Sequence, residues 1–204
     1  MTREFIEESA PLRLDLFEPC HAEIVASWAA TGEQLRVLAP GTSPPLTAQK
    51  VRDWQRTDGM AYVLAGGRGT APIGYGELNR LSEGAGHLWI GHVIVEPRRR
   101  RKGLGRLLVQ LLLREGFNRW GAERISLIVF PDNMPAVRCY QWAGFLRVAE
   151  EYHYFPHQGG RHKMWRMQVE RTDLGYGASS ARGSTSMAAK TPSSNPLRMA
   201  DMPS

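Results

Sequence analysis

The chain has 204 residues, 42% of them hydrophobic and 23% charged, a length and balance that allow one domain with its own core. Its two cysteines, Cys20 and Cys139, lie far apart and in no Cys-x-x-Cys or Cys/His grouping, so neither a disulfide framework nor a metal site is expected and the compartment reads as reducing. The formal net charge of +6 would suit a polyanion, but five cations sit together at Arg98, Arg99, Arg100, Arg101 and Lys102 without interleaved aromatics, so nucleic acid is not the expected partner.

Arg3, Glu4, Glu7 and Glu8 stand where a secretory signal needs an apolar stretch, and no later run approaches a membrane-spanning length, which leads us to expect a cytoplasmic protein with no membrane partner. Alternating Leu12, Leu14 and Leu16 predict an opening strand, and Ala22 to Ala30 a helix stopped at Gly32. Pro40 to Leu46 reads as a loop. Thr47 can cap a helix running towards Thr57, which Gly59 can end. Strand-like runs follow at Ala61 to Ala65, Ile73 to Asn79 and His87 to Glu96, parted by the turns Gly66 to Gly69 and Ser82 to Gly86.

Leu104, Leu107, Leu108, Leu111 and Leu112 fall at i, i+3, i+4, i+7 and i+8, the stripe of a helix reaching to Trp120 and closed by Gly121. Ile125 to Phe130 reads as a buried strand, Asn133 to Trp142 as a short helix, Phe145 to Phe155 as a strand, and Trp165, Met167 and Val169 as one face of a last strand after a turn at His157 to Gly160. This order predicts an α/β (α+β) domain over residues 1–171, a mixed sheet flanked by helices. From Thr172 to Ser204 the composition turns to Gly, Ser, Ala, Met and Pro, with no aromatic after Tyr176, and a disordered tail is expected.

The stretch Val93-Ile94-Val95-Glu96-Pro97-Arg98-Arg99-Arg100-Arg101-Lys102-Gly103-Leu104-Gly105-Arg106 runs an apolar strand through a glycine-containing loop into the leucine-striped helix. A helix start of this kind exposes unpaired backbone N–H groups and the positive end of the macrodipole, which suits an anion. Gly103 and Gly105 would let a pyrophosphate approach the backbone, with Arg100, Arg101, Lys102 and Arg106 adding charge-assisted contacts. These residues resemble the acetyl-CoA-binding motif of the GNAT (GCN5-related) N-acetyltransferase superfamily, Arg/Gln-x-x-Gly-x-Gly/Ala, matched by Arg100, Gly103 and Gly105 after Val93, Val95 and Pro97. A second stretch, Asn133 to Phe145, is similar to the superfamily's Asn-x-x-Ala-x-x-x-Tyr-x-x-x-Gly-Phe segment through Asn133, Ala136, Tyr140, Gly144 and Phe145.

The resemblance implies a mostly antiparallel sheet of about seven strands with about four helices, and transfer of acetyl from acetyl-CoA to a primary amine, on a small molecule or a peptide N-terminus, by direct attack. It implies that the strand of Val93, Ile94 and Val95 splays from Ile125 to Phe130 to hold pantetheine and the thioester carbonyl, Val95 or a neighbouring amide being the carbonyl donor. Leu104 falls in the same phosphate-binding run. It places Asn133 beside pantetheine and Tyr140 beside the sulfur, as the acid for the departing thiolate. Many relatives carry a Glu early in the strand to take the amine proton, and Trp89 stands there instead.

Glu77, His87 and His92 could replace that base, and water is a further option. Strand alternation puts the two histidines on opposite faces unless a bulge intervenes, and Glu77 is preferred. Trp28, Trp54, Tyr62, Tyr75, Trp89, Tyr152 and Tyr154 could line an acceptor pocket, although most such aromatics belong to cores. The missing Glu also suggests an alternative, a catalytically degenerate module that binds acyl-CoA without turning it over. A homodimer is compatible with a sequence that does not fix the oligomeric state.

Overall fold

A computed structural model describes residues 11–29, 31–66, 69–81, 84 and 86–174. Its centre is an eight-stranded sheet, formed by β1 (Arg13–Leu16), β2 (Gly59–Ala65), β3 (Gly74–Arg80), β4 (His87–Ile90), β5 (Ile94–Val95), β6 (Arg124–Val129), β7 (Leu146–Phe155) and β8 (Gly160–Glu170). The strand order is β1-β2-β3-β4-β6-β8-β7, with β5 continuing the line of β4 along β3. Among the described residues only β4 and β6 pair in parallel, and the sheet is mixed and mostly antiparallel, as expected. The helices are α1 (Ala22–Ala26), α2 (Gly32–Leu38), α3 (Ala48–Asp53), α4 (Leu104–Asn118) and α5 (Met134–Trp142), so five are present among the described residues rather than about four.

Side-chain alternation explains why both faces of the sheet are covered. On β2, Tyr62 and Leu64 join one apolar cluster with Leu108, Leu112 and Phe117 of α4 and Val137 of α5, while Ala61 and Val63 join another with Val25, Leu35, Val51 and Trp54 of the three short helices. Leu112 is wholly buried, worth about 1.5–3 kcal/mol for a side chain of that size. Helix α4 sits close because Gly76 lies under it, where an added Cβ would stand 2.7 Å from Leu112 Cδ1.

The sequence reading and the fold differ at two places before the site. Gly32 opens α2 instead of stopping a helix, because Thr31 is extended and its hydroxyl accepts from Gln34 N at 3.2 Å. Gly59 likewise does not end α3, which stops at Asp53, but begins β2 opposite Asn79. The expected tail boundary at residue 172 is overrun by a 3-10 turn over Arg171–Leu174, anchored by Glu170 N donating to Asp173 Oδ2 at 3.1 Å. The rest of that tail lies outside the described residues. Among the described residues no helix is long and apolar enough to cross a membrane.

Candidate functional site

The sheet comes apart at its middle. β4 pairs with β6 only at His87↔Arg124, Leu88↔Ile125 and Trp89↔Ser126, whereas β6 runs on to Val129 against β8. β5 pairs with β3 and not with β6. The two lines therefore diverge after Trp89 and Ser126, and a cavity of about 1140 Å³ opens between Trp89–Val95 on one side and Leu127–Phe130 on the other.

Where the strands part, the register along β3 slips by one residue. Leu78 pairs with Ile90, but Tyr75 pairs with Ile94, so Gly91, His92 and Val93 stand against only Gly76 and Glu77, and Gly91 N donates to Glu77 O at 3.1 Å. That is a β-bulge. It reverses the parity of the strand, so His92 and His87 share a face rather than lying on opposite ones. A Cβ on Gly91 would meet the Glu77 side chain, so this turn of the bulge requires glycine.

The bulge brings His92 onto Glu77, Nδ1 to Oε1 at 2.9 Å. The same carboxylate accepts from the Tyr75 hydroxyl at 2.7 Å and from Asn79 Nδ2 at 3.4 Å. Gln55 Nε2 donates to the Tyr75 oxygen at 3.2 Å, and Trp54 stacks on the imidazole at a centroid distance of 4.0 Å and 17° between planes. Burial first, and then the neighbouring Glu77, hold the Tyr75 phenol well above its ordinary range, so it remains a donor. Because a carboxylate only accepts, Nδ1 is the donor in that bond, and in the neutral imidazole the lone pair then falls on Nε2.

Glu77 is 1% exposed and does not line the cavity, whereas His92 does. Glu77, preferred from the sequence as the base, thus sits on an inner strand, with its carboxylate bonded to the His92 imidazole rather than facing the cavity. His87 is also set apart. It binds Ser126 Oγ at 2.7 Å, away from the cavity lining, and burial, followed by the charges of Arg124 and Arg166, lowers its pKa to about 4.

On the α4 side, Arg101 (φ 64) and Gly103 (φ 82) both take left-handed backbone and turn the chain into the helix. No side chain caps α4, and the first amide to find a carbonyl within the helix is Leu107 N on Gly103 O. The N–H groups before it are left without helical partners at the positive end of a 15-residue helix. Nothing lies within 4 Å of the place a Gly103 Cβ would occupy.

Val93, Val95, Arg100, Arg101, Gly103, Gly105, Arg106, Asn133 and Tyr140 all line the cavity, as do Arg138 and Cys139, which sequence reasoning did not assign. Ile94, Lys102 and Leu104 do not. Ile94 alternates away into the core under the short helices, and Lys102 stands exposed. Arg100 is held inward, Nε on Val95 O at 2.9 Å and an η-nitrogen on Trp28 O at 3.2 Å, and desolvation lowers its pKa. Asn133 Oδ1 accepts from Ala136 N at 3.4 Å, the N-cap of α5. Tyr140 packs edge-on to Phe145, and burial, more than the adjacent Cys139, keeps its phenol protonated well above the ordinary range.

The opposite mouth is apolar. Phe130, Phe155 and Met164 form a small cluster with Val37 and Ile128, and all of these line the cavity. Among the aromatics considered from sequence, Trp89 and Tyr154 line it, Trp28, Trp54, Tyr62 and Tyr75 are core, and Tyr152 is exposed. Among the described residues no group of three or more His, Cys, Asp or Glu side chains could hold a metal.

The comparisons with known proteins agree with one another. The family model described as the acetyltransferase (GNAT) family matches residues 27–145. The mycothiol acetyltransferase of Kytococcus sedentarius is 30% identical over 115 residues, covering 56% of this chain and 38% of that protein. The spermine/spermidine N(1)-acetyltransferase of Bacillus subtilis is 32% identical over 60 residues, 29% of this chain and 40% of that one. These matches span well under half of either relative. The spermidine N-acetyltransferase of Vibrio cholerae, solved with CoA and spermine, superposes with a TM-score of 0.67 at 18% identity, over 79% of this chain and 96% of that one. An aminoglycoside acetyltransferase solved with ribostamycin and coenzyme A gives 0.65 at 21% identity, over 83% and 99%.

Proposed function

Since the chain belongs to the acetyltransferase (GNAT) family, we propose that it is an N-acetyltransferase that moves an acetyl group from acetyl-CoA to a primary amine. The observation that carries this reading is the gap between β4–β5 and β6, which joins the uncapped start of α4 on one side of the sheet to the His92–Glu77 pair on the other. The residues fit the donor. Unpaired amides at Gly103 to Arg106 and the guanidinium groups of Arg101, Arg106 and Arg138 suit a pyrophosphate, and the apolar walls Val93, Val95 and Ala136 suit a narrow arm. The donor supplies an activated thioester carbonyl.

The chain's own groups do the remaining work. His92 takes the proton of the attacking amine at Nε2, positioned by Glu77 through Nδ1, and the carboxylate stabilises the imidazolium that results. The bulge thereby supplies the base that Trp89 cannot, and no degenerate module is needed to explain that residue. Tyr140, kept protonated by burial, donates to the departing thiolate. Arg100 serves by fixing the Val95 carbonyl and thus the edge of β5. The free cysteines, Cys20 exposed and Cys139 raised in pKa by burial, fit a reducing cytoplasm and neither acts as nucleophile.

Acetyl-CoA turnover against a panel of amines, followed by release of free thiol, tests the assignment. Thiol release that depends on the amine, and falls roughly 10²- to 10⁴-fold in His92→Gln, is expected for loss of a general base. Tight CoA binding without amine-dependent turnover would refute it.

A further inference from the structure

The half of the cavity that receives the amine has a chemical character of its own, and this inference rests on the transferase reading above. Among the described residues, no aspartate or glutamate lines the cavity anywhere. Three carboxylates that flank the lining residues are each paired, Asp132 with Arg36 at 3.4 Å being one of them. Glu77 is engaged by His92, Tyr75 and Asn79, and Glu151 stands behind His153, hydrogen-bonded to it at 2.8 Å and to Arg166. Burial alone would raise the Glu151 pKa, but those two partners hold it at about 2, so its charge is already balanced inside the protein.

A polyamine or an amino sugar brings several ammonium groups, and each one taken from water needs an anion or an unoccupied aromatic face. The aromatic faces here are partly taken. Arg36 lies 5.0 Å over Phe130, and Arg166 lies 5.4 Å over Trp89. What the pocket offers instead is the apolar surface of Phe130, Phe155 and Met164, together with a neutral acceptor that has no partner of its own. Gln34 lines the cavity, and its Oε1 is buried without a partner.

We propose that the acceptor is a monoamine with an apolar body the size of an aromatic ring, carrying at most one neutral hydrogen-bond donor for Gln34, and that polyamines and amino sugars are excluded. The single ammonium approaches His92, loses its proton there, and leaves no second charge to be buried. Selectivity arises from the missing carboxylates as much as from the apolar contacts.

The test titrates the CoA-loaded protein calorimetrically with 2-phenylethylamine, spermidine and ribostamycin, and measures thiol release from acetyl-CoA with each. Phenylethylamine should bind at least tenfold more tightly than either polycation. Gln34→Glu, a near-isosteric change on α2, should move the ratio at least fivefold towards spermidine, and Val37→Asp provides the same charge from the next cavity-lining position should the first variant not fold. Spermidine or ribostamycin binding as tightly as phenylethylamine overturns the proposal, as does failure of phenylethylamine to bind at all. If phenylethylamine binds selectively but is not acetylated, the pocket chemistry stands and the transferase reading falls. If spermidine is the better acetylated amine, the reverse holds.

Discussion

Replacing Glu77 with glutamine separates the structural and the chemical duties of one carboxylate. The side chain is 1% exposed and accepts short bonds from the Tyr75 hydroxyl at 2.7 Å and His92 Nδ1 at 2.9 Å. Hydrogen bonds to a charged partner are worth about 1.5–3 kcal/mol and neutral ones about 0.5–1.5, so two bonds reduced to neutral strength lose about 2 kcal/mol. The amide also has one accepting atom where the carboxylate had two: with its oxygen in the Oε1 place that Tyr75 and His92 share, its N–H groups stand against Asn79 Nδ2. For a chain of this size such a loss lowers Tm by about 4–8 °C. The chemical effect is separate: with the Nδ1 proton held by a neutral amide and the imidazolium no longer facing a full negative charge, kcat/KM for the amine should fall about 10- to 100-fold, below the cost of removing His92 itself. Thermal melts, calorimetric CoA titration and steady-state thiol release, run on the same preparation, give the three quantities. A Tm drop of the stated size with CoA affinity and kcat/KM both unchanged would mean that Glu77 only stabilises β3 and that His92 needs no positioning.

Tyr140→Phe keeps the edge-on packing against Phe145 and removes the donor, so kcat and kcat/KM should fall together by roughly tenfold to a thousandfold while KM for acetyl-CoA holds, as steady-state kinetics can show. Gly103→Glu puts a side chain on left-handed backbone (φ 82) and a negative charge at the start of α4; calorimetry should show CoA affinity reduced at least tenfold in a protein that still folds. His87 has a folded pKa of about 4 against 6.5 unfolded, so the unfolded chain gains the proton first and stability declines as pH falls from about 6.5 to 4, levelling below that. The decline should reach about 2–3 kcal/mol after allowance for solvent screening, and denaturant melts of His87→Gln should show a flatter profile over that window.

The parts of this fold that repeat a local rule could be read from the chain. The leucine stripe of α4, Thr47 as a cap and the alternation of β8 follow from residues within a turn or a strand of one another. The two motifs led to residues that line the cavity, Arg100, Gly103 and Gly105 in one and Asn133 and Tyr140 in the other, for the same reason: each is one contiguous segment. The His92 cluster was not legible, because His92, Glu77 and Trp54 meet only through a register slip, and parity counted along an unbroken strand sends His92 to the wrong face. A Gly-His pair at positions 91 and 92 within a strand was the available signal, since glycine inside a strand marks a bulge or a close approach. Gly32 failed differently: Thr31 ahead of it outweighs the glycine, and the cap decides that a helix starts there.

The parting of β4 and β6 gives this sheet something that most sheets have only at their rims, a pair of edges in its interior. Backbone groups of residues 91–93 and the outer side of residues 127–129 face each other across the gap with no strand between them. An edge of that kind ordinarily invites pairing with another molecule, and here it is flanked by α4 and α5 on one face of the sheet and the short helices on the other. An extended amide-bearing ligand entering the gap would find backbone groups on both sides to pair with, as an extra strand would. Amide hydrogen exchange at residues 91–95 should therefore slow when CoA is added, while the edge strand β7 exchanges as before.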